Sequence, residues 1–386
     1  MSRLSLLSVL FGATALASGA ATAQTFTSEG GSTVTFYGQI DPTLQSVDDG
    51  DDTDTDTKLV DNAASNSRLG FRIDIPTQES DKITLWFETA LGFAQSGALT
   101  QDGDFDGIDW TRRSLRHVEA IYDSKRFGTF SAGQGSMATD GIAETDFSGT
   151  GLAGHAAMGD LAGSYRFRDK DGTLSDVSIG QVFNDFDGAR RMRVRYDTPD
   201  LLAAENAKLT LAAAYGQEVL QDDNHNDYYD ASIRYTVEND ALQFSAGLGY
   251  AAVEDDNDVS ETAMTSASIW HKASGLTASV SYGGGLDNDN DATFAYGKLG
   301  YRTTSFFRKG YTAFSIDYGH GEDFVVDGDE SDAIGVQATR DFGGIGPNEQ
   351  YNLAAYVGYR THAYDAHDGS DYHDLQAFTA GLRIGF

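Results

Sequence analysis

The sequence predicts an all-β chain closed into a transmembrane antiparallel up-and-down barrel. Three observations carry this. Apolar and polar residues alternate with period two in segment after segment, which sets one face of each strand against an apolar medium and the other against water. Short turns alternate with longer acidic loops, the arrangement of barrels in an outer membrane. Beyond the extreme N-terminus no apolar run approaches the ~18 residues of a spanning helix.

Composition narrows the functional class. The 386 residues include 59 Asp and Glu against 27 Lys and Arg, a net charge of −32. Nucleic acid is excluded as a partner, because phosphate binding needs a basic face. With Cys 0 there is no disulfide framework, thiolate metal centre or cysteine nucleophile. There is no Gly-x-Ser-x-Gly elbow, phosphate-cradling loop or His-Glu-x-x-His, so no enzyme and no cofactor is expected.

The N-terminus reads as a processing segment. Arg3, the apolar stretch Leu4 to Leu16 and the small residues Ala21-Thr22-Ala23 predict a signal peptide over 1–23, leaving 24–386 as the exported barrel.

Strands follow at 32–41, 66–76, 81–92, 113–123 and 126–134. After an unusually long connection they resume at 189–198, 206–216, 227–237, 241–253, 262–272 and 275–284, then at 291–302, 309–320, 331–341, 350–361 and 374–386. That gives 16 strands; counting the weaker runs 161–169 and 174–184 as wall strands would give 18. Both totals are even and leave a water-filled lumen. A connection over 135–188 with strand-like pieces of its own is functional or misassigned, and 16 is the preferred count. Turns at Thr77 to Ser80, Asp123 to Lys125, Glu238 to Asp240 and Lys272 to Ser274 contrast with acidic loops such as Asp48 to Asp56 and Glu322 to Asp332.

Several stretches carry a family resemblance. They are Val34-Thr35-Phe36-Tyr37-Gly38, Asn66-Ser67-Arg68-Leu69-Gly70-Phe71-Arg72, Arg126-Phe127-Gly128-Thr129-Phe130-Ser131-Ala132-Gly133-Gln134, Val194-Arg195-Tyr196-Asp197-Thr198-Pro199 and the ending Leu382-Arg383-Ile384-Gly385-Phe386. In order and spacing the chain resembles the general diffusion porins of Gram-negative bacteria, especially those of alphaproteobacteria. The resemblance makes the Val-Arg-Tyr-Asp-Thr-Pro strand the sixth and 135–188 the third loop, folded into the pore of each subunit of a homotrimer. It also implies an outer-membrane location, contact with membrane lipid and lipopolysaccharide, and recognition of Phe386 by the barrel assembly machinery.

Parity places the charges. If Leu69, Phe71 and Ile73 face lipid, Arg68 and Arg72 face the lumen; Arg191, Arg193 and Arg195 do so against Met192 and Val194. The fourth strand divides Arg112, Arg116 and Tyr122 from Leu115, His117, Glu119 and Ile121. Arg116 is assigned inward, partly because the resembled porins carry an arginine there, although this would aim Glu119 at lipid. Those porins set a basic wall against carboxylates of the inserted loop, which implies Asp140, Glu144 and Asp146 as the acidic side. Opposed charges create a transverse field that sorts solutes. The expected function is passive diffusion of small hydrophilic solutes and ions with a mild cation preference. The alternative is a channel selective for a sugar or a carboxylate, against which the lumen aromatics Tyr37, Trp86 and Tyr356 look too scattered. The aspartates of 48–56 read as a solvated loop rather than a Ca²⁺ site, and His362, Asp365, His367, Asp368, Asp371, His373 and Asp374 are too loosely spaced to assign a metal.

Overall fold

The computed structural model describes residues 24–50, 56–77, 81–101, 103, 107–202, 204–255, 258–286, 291–307, 309–346 and 349–386. The expected signal peptide, Asp51, Asp52 and Asp54 of the first acidic loop, and residues 287–290 lie outside them.

Sixteen antiparallel strands form the wall. The first runs as Thr33–Ile40 and Pro42–Asp48 (β1), broken at Asp41, where Pro42 has no amide to donate. The second runs as Asp56–Asp61 and Arg68–Pro76 (β2), interrupted by a 3₁₀ turn at Ala63–Ser65 that Asn62 caps through the Ala64 amide. Then come Lys82–Ala90 (β3), Leu115–Ser124 (β4), Gly128–Ser136 (β5), Arg190–Asp197 (β6), Ala207–Gln217 (β7) and Asp227–Glu238 (β8). Leu242–Glu254 (β9), Val259–His271 (β10), Leu276–Gly285 (β11), Thr293–Thr303 (β12), Tyr311–Glu322 (β13), Glu330–Ile345 (β14), Tyr351–Asp365 (β15) and Leu375–Gly385 (β16) complete it.

Each strand pairs with the next, and β16 returns to β1 with Thr43 opposite Gly381 and Asp48 opposite Gln376. Gly38 and Phe386 exchange both backbone hydrogen bonds at 2.9 Å. Because β16 ends there, the lower edge of β1 would be open. The short strand Gln24–Thr27 covers it, pairing with Thr33 to Phe36.

Leu69, Val118, Val194, Leu248, Val280, Leu299 and Val336 are exposed on the outer face, as period-two alternation requires. The packed core lies inside the barrel. The third long connection, 137–189, folds into the lumen and brings Met158, Phe167, Ile179, Val182 and Phe183 against Phe294, Tyr364 and Leu375 of the wall. The weak runs 161–169 and 174–184 are part of this insert: Arg166–Arg168 and Leu174–Ser178 form a small hairpin, followed by one helical turn at Ile179–Val182. They pair with each other and not with the wall, so the wall count stays at 16.

Candidate functional site

The insert hugs one side of the lumen through wall side chains. Ser232 Oγ donates to the Ala138 carbonyl (2.7 Å), Arg234 to Gly141 (2.8 Å), Asn62 to Leu152 (2.8 Å) and Ser331 to Val182 (2.7 Å). The strongest tether is Lys298 of β12. Its Nζ donates to Asp146 Oδ2 at 2.8 Å and to the Gly154 carbonyl at 2.7 Å, with a side chain of 0% accessibility. Asp146 is thus committed to holding the insert to the wall. Burial would raise its carboxyl, and Lys298 outweighs this and holds it low.

The remaining passage lies along β2 to β6. On its short-turn side is a chamber of ≈ 740 Å³ lined by Arg68, Arg72, Arg116, Arg190, Arg193 and Arg195 together with Trp86, His117, Glu88, Glu119 and Asp197. On the long-loop side a chamber of ≈ 620 Å³ is lined by Gln95, Arg113, Gln134 and Glu218, and again by Arg116 and Arg190. Arg116 and Arg190 therefore stand where the chambers meet. Beside Arg190 lies the neck of the insert, with Asp140 Oδ2 3.9 Å from the Arg190 guanidinium.

The fourth strand corrects the parity argument. Glu88 of β3 faces His117, and Thr89 faces Leu115, so Arg116 is an extra residue in a bulge. The bulge turns Arg116 inward while His117, Glu119 and Ile121 also line the lumen; Val118 is exposed on the outer face, so Glu119 is not aimed at lipid.

Most of the wall arginines are paired. Arg116 Nε donates to Glu88 Oε1 at 2.6 Å, and Arg68 Nε is 3.8 Å from the same carboxylate. Arg193 donates to Glu119 at 2.5 Å with both side chains almost inaccessible, 3% and 1%. Gly135 leaves room for that pair, since a Cβ there would sit 2.7 Å from Glu119 Oε1 and 2.8 Å from Arg193 Nη2. Arg195 grips Asp197 at 2.7 and 2.9 Å, and Arg191 lies 3.5 Å from Glu218 with its guanidinium 4.1 Å over the Tyr228 ring. Arg72 differs: it lies 3.9 Å over the Trp86 ring and has no carboxylate partner among the described residues.

Glu144 sits in a pocket of the insert with His155 (Nδ1 at 3.9 Å), near Asp160, Asp185 and Asp187. Burial pushes its carboxyl up to about 7 against the pull of His155. Burial lowers the His155 imidazole, but its 2.9 Å contact with Asp160 and the Glu144 charge outweigh this and hold it at about 9. Asp187 accepts from the Gly141 and Ala143 amides at 2.6 and 2.7 Å, closing the neck of the insert; burial and the Glu144 charge still push it up to about 8.

Sequence reasoning missed Arg190, Glu88, Lys298 and Asp187. Glu88 was within reach, because it shares its parity with Trp86 opposite the outward Leu85 and Phe87. Arg190 was not, because its parity is that of the outward Met192 and only the loop-to-strand junction turns it in. Tyr37 and Trp86 are joined, with Trp86 Nε1 donating to the Tyr37 hydroxyl at 2.5 Å, whereas Tyr356 belongs to a separate buried group with Asp41 and Asn62. His362 lies within β15, buried against Phe183, and Asp365 at its end is exposed, and among the described residues these histidines and acids form no metal-holding group.

The profile of the Gram-negative porin family matches residues 10–381. The chain belongs to the Gram-negative porin family. No curated protein sequence matches it. Among solved structures, the anion-selective porin from Comamonas acidovorans aligns at TM-score 0.59 and 15% identity over 92% of this porin and 100% of that chain. Outer-membrane expressed OmpT of Vibrio cholerae aligns at 0.56 and 15% over 94% and 100%. Salmonella typhi OmpF in complex with daunomycin aligns at 0.56 and 13% over 94% and 100%. Identities this low carry the fold alone; family membership supports an outer-membrane channel.

Proposed function

We propose that this porin is a passive, trimeric outer-membrane channel for small hydrophilic solutes and ions, sorted by a field between the wall arginines and the insert. The observation that carries the reading is the meeting of two water-accessible chambers at Arg116 and Arg190, with Asp140 of the insert 3.9 Å from Arg190. Arg68, Arg72, Arg191, Arg193 and Arg195 extend the basic wall; Asp140 supplies the opposed charge, while Glu144 is drawn into the buried cluster with His155. Asp146 acts as a tether.

Against the mild cation preference expected from overall composition, we propose that local charge sets the preference. The chamber on the short-turn side is lined by six arginines and three carboxylates, and at a Debye length of ~8 Å the acidic outer loops are screened from it. The narrow zone therefore favours anions. Phe386 would be read by the assembly machinery before closure, since its backbone is fully paired afterwards.

Swelling of liposomes containing the purified protein tests the reading. Entry rates should fall smoothly with the size of neutral sugars, with no saturation. Saturation by one sugar, or no entry of any, would overturn it.

A further inference from the structure

The arginines of the chamber on the short-turn side are not equivalent. Arg116, Arg193 and Arg195 each hold a carboxylate within 2.5 to 2.7 Å, so their charge is largely spent inside the wall. Arg72 is exposed to the chamber, and its contacts are the faces of Trp86 (3.9 Å) and Tyr37 (5.8 Å). That platform is fixed from every side. His117 stacks on Trp86 at 3.6 Å and 6°. The indole N–H is held by Tyr37, whose hydroxyl donates to Glu88 at 2.7 Å. His117 Nδ1 is 2.6 Å from Glu119, which Arg193 locks in turn.

A guanidinium lying flat on a rigid indole keeps its fork of N–H donors in one plane, and cation–π attraction leaves those donors unused. A solvated lining needs no such support, whereas preorganisation of this kind lowers the ordering cost of binding. We infer that Arg72 is a subsite for solutes bearing a carboxylate, which it takes through its planar donor edge on the short-turn side of the narrows. The inference rests on the channel reading and names the solute class this wall receives. A carboxylate fits best because its two coplanar oxygens match the fork. Arg68, whose only carboxylate contact is the 3.8 Å approach to Glu88 among the described residues, adds positive potential beside it.

The test is single-channel current in potassium chloride with succinate added stepwise, and inorganic phosphate in a parallel series. Wild-type current should fall along a saturating curve with succinate. Arg72→Gln should raise the half-saturating concentration at least about tenfold, the loss of a two-pronged charge-assisted contact. Arg72→Lys should fall between, keeping the charge and losing the fork, and it serves if Arg72→Gln does not fold. Arg126→Gln, in a turn outside the lumen, should match wild type. A linear response, equal half-saturation in wild type and the Arg72 variants, or tighter saturation by phosphate overturns the subsite and leaves the channel standing. No current steps from folded protein overturns the channel, and the subsite with it.

Discussion

At the scale of single residues, the pore wall is a set of arginines whose charges are mostly answered by neighbouring acids. The Arg193–Glu119 pair is the extreme case, with both side chains out of solvent. Breaking such a pair strands a buried charge, which costs far more than the pair itself contributes. Glu119→Gln should lower unfolding stability by about 3–5 kcal/mol, read as a drop in the denaturant midpoint of the folded barrel. Lys272→Gln, which loses an exposed partner at Glu238, should change it by less than about 1 kcal/mol. Equal effects of the two changes would mean that the Arg193 site is wet. Arg68, Arg72, Arg191, Arg193 and Arg195 were legible by counting in twos, because their strands are regular. Arg116 and Arg190 were not, since a bulge and a strand start break the count at those positions.

At the scale of elements, the insert decides how much of the lumen stays open. Its tether joins residues 152 positions apart, Asp146 and Lys298, and no local pattern in the sequence signals that contact. Lys298→Gln should loosen the insert and raise the noise of the open-channel current; unchanged noise would show that the hydrophobic packing of Met158, Phe183 and Phe294 holds it alone.

Protonation of the insert gives a second expectation. Glu144 at about 7, Asp187 at about 8 and His155 at about 9 all bind protons more tightly in the packed insert than when exposed. A raised value means stabilisation that is complete below the ordinary value, ~4 for the acids and ~6.5 for histidine, and lost as pH rises through the packed value. Hydrogen exchange, corrected for intrinsic rate, should show protection of 138–160 falling between about pH 5 and pH 9 relative to strand amides. Constant or rising protection would contradict the buried cluster.

At the scale of the whole molecule, alternation and loop lengths made the barrel and its strand count readable, since a lipid-facing wall demands period two almost everywhere. The short strand Gln24–Thr27 was not foreseen, because its role is to cover an edge that appears only once β16 has closed on β1. The local charge balance at the narrows was also hidden. Composition reports the acidic loops, while the narrows sense only charges within a few ångströms.

The central claim is that ions pass between the arginine wall and the insert. The measurement is current through single molecules in a planar bilayer under a salt gradient, for the wild type and Arg116→Gln. Large steps closing in threes are expected, with a reversal potential on the anion side and a shift toward cations in the variant that fades at 1 M salt, where the Debye length is ~3 Å. Steps whose reversal potential is the same in both proteins at low salt would contradict the claim.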